Sequence, residues 1–266
     1  MKNSFKYIKN IFKVLIWPII FIIGQFFIQY IFVAFFNSKE KGTMTNNEFL
    51  NYISTIDYQN KLNNFINSNA LLIIIITMIL FVPIFYNVFK KYKRKSSFKF
   101  KDIFIPILFG ISISLIFNIL LFNINNIIYF TDKFELSNLN VITQLICSGI
   151  CGPILEELLF RGIVYNKLKE FNKPIIAIII TSIIFGLMHF DFINAIYGFG
   201  VSFILIYLYE KHKTLKATII MHISLNVTII LMSSLITRNF TIFNLYLLIV
   251  SILILLILKI FIKKDV

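Results

Sequence analysis

The sequence predicts an all-α protein embedded in a membrane: a polytopic bundle of about eight transmembrane helices with both termini on the cytoplasmic side. Three observations predict it. The first is composition, since 58% of the 266 residues are hydrophobic, 31 are Phe and only 14% are charged. The second is length. Apolar runs of about 17 to 25 residues recur along the chain, each able to cross a hydrocarbon layer of roughly 30 Å as a helix. Lipid offers the backbone no hydrogen-bond partner, so such runs must be helices and not open strands. The third is the distribution of positive charge between those runs.

The spans read as 14–36, 70–89, 103–124, 139–160, 174–190, 194–209, 217–236 and 241–261. The first follows a basic arm, Lys2, Lys6, Lys9 and Lys13, and so mimics a signal peptide. Its apolar stretch ends FVAFFNSKE without a small-residue cleavage site, which makes it an uncleaved span. Residues 37–69 form the longest polar segment and are expected outside. They are either a flexible loop or hold an amphipathic piece resting on the membrane through Phe49, Leu50, Ile53, Ile56 and Tyr58. The other loops are short, no internal repeat of the transporter kind is evident, and one membrane-embedded domain, 1–266, accounts for the whole chain.

Charge sets the orientation. Lys and Arg alternate strictly between successive segments: 20 lie in the N-terminal arm, 90–101, 166–173, 210–216 and the C-terminal end with Lys259 counted there, against 5 in 37–69, 125–138, 191–193 and 237–240, and Arg161 lies in a span. Positive loops stay cytoplasmic, so the net charge of +14 reads as topology. The expected partner is therefore the lipid bilayer, with no nucleic acid, for a multi-pass integral membrane protein.

Polar chemistry is concentrated in a few places. The cysteines, Cys147 and Cys151, are four apart on one span, the wrong spacing for a CxxC redox or zinc motif, and read as small packing residues. Of the twelve acidic residues, only Glu156 and Glu157, in GPILEELLFRG, fall well inside a span, with Arg161 beside them. A charge at mid-bilayer costs about 2.5–3.5 kcal/mol, so these three facing lipid would oppose insertion by roughly 8 kcal/mol; they must face protein or a wet cavity. Glu157 and Arg161, at i and i+4, share a helix face and can pair, while Glu156 points about 100° away. Pro153 withdraws the backbone donor that the Gly149 carbonyl requires and should open the helix just before the glutamates. One carboxylate held by arginine and one left free suits general-base work, although such a cluster can also simply pin neighbouring helices.

The three histidines divide similarly. His212, in EKHKTLK, reads as a solvated loop residue. His189 and His222 lie in or at the end of apolar spans, each with a companion at helical spacing, Phe185 and Asn226. Counted by rise per residue, His189 lies on the order of 22 Å into its span, whereas Glu156 and His222 lie nearer the cytoplasmic side.

Together, Glu156-Glu157-x-x-x-Arg161, Phe185-x-x-x-His189 and His222-x-x-x-Asn226 resemble the EExxxR, FxxxH and HxxxN/B motifs of the CAAX-protease and bacteriocin-processing (CPBP, or Abi) intramembrane proteases, which include the type II CAAX prenyl endopeptidases. The resemblance covers about 145–230, a third of the chain; the first three spans and the last carry no motif. It implies peptide-bond hydrolysis, with water polarised by Glu156 helped by His189, the oxyanion held by His222 and Asn226, and Glu157 with Arg161 holding the fourth span. The partner it implies is a peptide or membrane-protein substrate, met by a multi-pass protein of a bacterial cell membrane, and no cofactor is favoured. The competing chemistry is zinc bound by Glu156, His189 and His222, as the frequent metalloprotease label of such families suggests. The competing functions are a non-catalytic bacteriocin-immunity or scaffold protein and an ion-coupled transporter. Since prokaryotes normally lack prenylated CAAX proteins, a bacterial source would favour peptide-processing or immunity roles.

Overall fold

A computed structural model describes residues 2–96, 98–128, 139–189, 192–232 and 242–263. All regular elements among them are helical, in keeping with the predicted fold class. They are α1 (Lys2–Lys41), α2 (Asn46–Ile53), α3 (Ile56–Ser68), α4 (Ala70–Phe89), α5 (Phe104–Ile128), α6 (Val141–Gln144), α7 (Gly152–Leu159), α8 (Asn166–Lys169), α9 (Pro174–Leu187), α10 (Phe192–His212), α11 (Leu215–Met232) and α12 (Ile242–Lys263). Two π-helical turns, Leu145–Cys151 and Phe160–Tyr165, join α6, α7 and α8 into one run. Five described stretches are long and apolar enough to cross a membrane: Phe5–Lys41, Ala70–Tyr92, Val141–Lys169, Phe192–His212 and Leu215–Met232. Shorter apolar helices, Phe104–Phe117, Pro174–Leu187 and Leu245–Leu256, fall on the other three predicted spans. Most of the predicted loops 125–138 and 237–240, and Lys264, lie outside the described residues.

The helices bury narrow seams and leave their other faces to lipid. On α1 the buried residues Val14, Phe21 and Ile28 recur every seventh position, the spacing of a helix–helix seam, while Phe26, Phe27 and Tyr30 are exposed. Its partner α4 buries Thr77, Phe81, Phe85 and Phe89, and Phe21 meets Phe81 and Phe85 edge-on at 5.2 and 5.7 Å. Glycines bring other helices close. A side chain at Gly110 of α5 would strike the Met221 carbonyl of α11, and one at Gly186 of α9 would stand 3.3 Å from the Phe199 nitrogen of α10. The run 141–169 sits amid these elements, with Leu155, Leu159, Ile163 and Val164 fully or almost fully buried.

Three expectations change. Residues 37–69 contain two capped helices in place of a flexible loop. Thr45 and Glu48 form a capping box, Thr55 accepts from the Tyr58 amide, and these reciprocal bonds satisfy donors that a helix start leaves open. Of the apolar contacts expected to rest on lipid, Tyr58 instead packs on Phe36 at 5.7 Å and donates to Asn37 at 2.6 Å. His212 is buried, not solvated: α10 extends past the predicted end at 209, so the imidazole faces inward and meets the Phe98 ring at 5.3 Å. Finally, the span 174–190 is a helix of only 14 residues, and His189 lies in the turn that follows it.

Candidate functional site

The site begins with the backbone around α7. Pro153 stands at its first turn, directly after the π-helical turn Leu145–Cys151, whose last donor, the Gly152 N–H, bonds the Cys147 carbonyl. A π turn accommodates an extra residue, so the widening lies where proline withdraws a donor. At the other end of α7, the Asn166 amide donates to the carbonyls of Arg161 (2.8 Å) and Gly162 (3.1 Å) and to the Tyr209 hydroxyl (2.8 Å). It thereby closes the second π turn against α10. Cys147 and Cys151, both half-buried free thiols, lie in the first π turn.

The predicted Glu157–Arg161 pair forms, with Arg161 Nη1 donating to Glu157 Oε1 at 2.7 Å and both side chains fully buried. Arg161 Nη2 also donates to Ser202 Oγ at 2.9 Å, and the guanidinium lies over the Phe185 ring at 4.5 Å. The sequence did not disclose the next link: the same Glu157 oxygen is 2.9 Å from His222 Nδ1. A carboxylate in an ion pair with arginine can only accept, so Nδ1 carries hydrogen and, in the neutral ring, Nε2 is bare. Nε2 stands 3.7 Å from Glu156 Oε2, and the Glu156 side chain is 31% exposed where that of Glu157 is 0%. Two neighbouring glutamates thus occupy opposite environments, one sealed in a bonded network and one open.

His189 and Asn226 flank this centre. His189 is exposed, and its Nδ1 lies 3.0 Å from the Phe185 carbonyl, which again requires Nδ1–H and leaves Nε2 free in the neutral ring. Its ring folds back one turn to meet Phe185 edge-on at 5.2 Å, while His222 meets the same ring at 6.0 Å. Asn226 lies one turn beyond His222, but its amide donates to the Ser148 carbonyl of the first π turn at 2.9 Å. His222 and Asn226 therefore brace α7 and the π turn that precedes it from one helix. Ser202 and Ser148 were not legible as partners, since one contributes a hydroxyl at no motif spacing and the other only a carbonyl.

Gly198 of α10 is where the ring of His189 is accommodated. A Cβ there would lie 3.1 Å from both Cε1 and Nδ1, so Gly198→Ala should push the exposed imidazole off the Phe185 carbonyl. The expected result is little change in thermal stability, with a loss of whatever turnover depends on His189 of about tenfold to a hundredfold. Paired melting and turnover measurements check it.

The zinc set proposed from sequence is not assembled here. Among the described residues no three His, Cys, Asp or Glu side chains stand close enough to hold a metal ion. The bare Nε2 atoms would suit ligation, but Glu156, His189 and His222 do not converge on one point.

These features define a class, a multi-pass helical membrane protein whose buried Glu–Arg–His network adjoins an accessible glutamate. Residues 138–228, which include all six site residues, match the family model described as type II CAAX prenyl endopeptidase Rce1-like. The match falls on the segment that carries the three motifs. Over 97 residues, 36% of this chain and 40% of the relative, it is 33% identical to YdiL of Bacillus subtilis, whose name assigns it provisionally as a membrane peptidase. It is 38% identical over 86 residues, 29% of this chain and 34% of the relative, to the membrane-embedded CAAX protease MroQ of Staphylococcus aureus. With the protein YxdF of Lactococcus lactis it shares 33% identity over 92 residues, 34% of this chain and 50% of the relative. The chain thus matches at most half the length of these relatives. No solved structure matches it. The apolar helices and bacterial relatives identify a multi-pass bacterial membrane protein.

Proposed function

We propose that the chain is an intramembrane endopeptidase in which Glu156 takes a proton from the attacking water and His189 helps to orient that water. The observation that supports this most strongly is the split between adjacent glutamates. Glu157 is spent on Arg161 and His222, while Glu156 remains accessible beside His222 Nε2. The match of residues 138–228 to an Rce1-like model and the name of MroQ support hydrolysis of a peptide bond in a membrane-associated or peptide substrate.

In this reading the water oxygen bonds to the scissile carbonyl carbon as its proton passes to Glu156. The proton moves on to His222 Nε2, and Glu157 stabilises the imidazolium across Nδ1. That protonation matters to the role the motifs imply. A neutral His222 has its only N–H committed to Glu157, so it can donate to the oxyanion only after Nε2 is protonated. Asn226 has a second amide hydrogen for the same purpose, and donors fixed in advance contribute most in a water-poor site. When the C–N bond breaks, the leaving amine takes the proton from His222. We favour this route without a metal; zinc on Glu156, His189 and His222 remains the competing chemistry. A bacteriocin-immunity or scaffold role remains the alternative function.

The test uses the protein purified in detergent and a panel of membrane-associated peptides. Cleavage by wild type should survive chelation and fall by roughly 10²–10⁴-fold in His222→Ala. Cleavage unchanged in that variant would defeat the assignment, and loss on chelation reversed by zinc alone would overturn the metal-free route.

A further inference from the structure

We propose that a basic cleft between α1 and α8 binds the phosphate headgroup of an anionic phospholipid. The cleft has a volume of about 420 Å³ and is lined by Lys6, Asn10 and Lys13 of α1 and by Lys167 and Glu170 beside α8. Its one acid is already engaged, since Glu170 accepts from the Tyr92 hydroxyl at 2.6 Å. The three lysines make no ion pair among the described residues. Three cations therefore face a single carboxylate on one concave surface, which leaves the cleft with a net positive charge.

The site's position selects a lipid over a free anion. Lys6, Asn10 and Lys13 form one stripe of α1, and Val14 continues the cleft wall into the buried seam. On the outer side of the same helix Phe12, Ile16, Ile19 and Ile23 are exposed, providing an apolar track for acyl chains leading away from the lysines. Lys167 lies over the Trp17 ring at 5.8 Å, and tryptophan favours the level of the headgroups. The basic arm and the 166–173 segment are the ones that the charge alternation assigns to the cytoplasmic side, where anionic lipid attracts basic side chains by about 1 kcal/mol each. Since Lys167 belongs to the same continuous helical run as Arg161, a bound headgroup would clamp α1 onto the helix that carries the glutamates. The proposal stands apart from the proteolytic reading, and its test reads binding only.

The full-length protein is reconstituted into nanodiscs of phosphatidylcholine alone or with phosphatidylglycerol, and bound lipid is counted by native mass spectrometry after release into detergent. Wild type should retain phosphatidylglycerol over phosphatidylcholine and melt at a higher temperature in its presence. Lys6→Gln/Lys13→Gln/Lys167→Gln should bind it roughly a hundredfold more weakly. Lys39→Gln/Lys41→Gln, at the other end of α1, removes charge without touching the cleft and should bind like wild type. Equal retention of both lipids by wild type, or unchanged retention in the triple variant, would overturn the proposal. So would an equal loss in the Lys39/Lys41 variant, or reproduction of the thermal shift by inorganic phosphate or a soluble acidic peptide. If the triple variant does not fold, competition decides: excess phosphatidylglycerol should protect Lys167 of wild type from amine acetylation, and absence of protection contradicts the site.

Discussion

Replacing Arg161 with methionine is expected to lower unfolding free energy by about 3–5 kcal/mol, the cost of stranding one member of a buried ion pair. The side chain is fully buried, and its loss removes the 2.7 Å bond to Glu157, the 2.9 Å bond to Ser202 and the contact over Phe185. Glu157 is poorly placed to compensate. Its second oxygen, Oε2, is buried without a hydrogen bond among the described residues, so the carboxylate would retain only His222. Lysine should rescue little, because a point charge cannot bond Glu157 and Ser202 together while lying flat on an aromatic ring. The informative companion is Glu157→Met/Arg161→Met. Removing both charges should recover much of the stability, since an apolar pair of similar volume avoids the desolvation cost, yet it leaves His222 Nδ1 without an acceptor and should remain inactive. Denaturant titration of the purified protein measures each step. A loss below about 1 kcal/mol for Arg161→Met would show that the pair is far more hydrated than its burial indicates.

The fold was legible where one physical rule dominates. Eight apolar runs in a medium that forbids unpaired backbone leave only helices, and the predicted span 70–89 coincides with α4. The Glu157–Arg161 pair was legible because helical spacing alone brings i and i+4 together. The opening near Pro153 was legible too, since a missing donor must be accommodated somewhere, and here a π turn precedes it.

What was hidden depends on how helices pack against one another. No spacing rule connects His222 to Glu157, 65 residues away, because their approach is set by where α11 crosses α7. His222 and Asn226 looked like a matched pair of donors on one face, but four residues along α11 carry the second to a different part of α7 and its π turn. His212 misled for a related reason, since a histidine flanked by lysines looks solvated until α10 is seen to continue through it. The cleft of Lys6, Lys13 and Lys167 likewise required tertiary structure: the sequence shows basic segments, and only the packing of α1 beside α8 places three of those lysines around one cleft.

The second large effect concerns Glu156. Substituting glutamine keeps the side chain's size and hydrogen-bonding reach but removes the capacity to accept a proton, so it isolates chemistry from packing. The Glu156 side chain is part-exposed, and the nearest basic group paired with it is His222 Nε2 at 3.7 Å, beyond hydrogen-bond distance. Stability should therefore change by less than about 0.5 kcal/mol, as for other substitutions outside a buried network. Turnover should fall at least as far as removal of a general base does elsewhere, roughly 10²–10⁴-fold. Glu157 shares its residue type and neighbours it in sequence, but it is sealed and bonded twice, so in the proposed mechanism Glu156 and not Glu157 takes the proton from water. The most direct measurement is single-turnover cleavage of one membrane-associated peptide by wild type and Glu156→Gln, with melting temperatures taken on the same samples. Wild type should cleave, Glu156→Gln should lose cleavage almost completely and the melting curves should coincide; cleavage by the folded Glu156→Gln protein at the wild-type rate would rule out Glu156 as the general base.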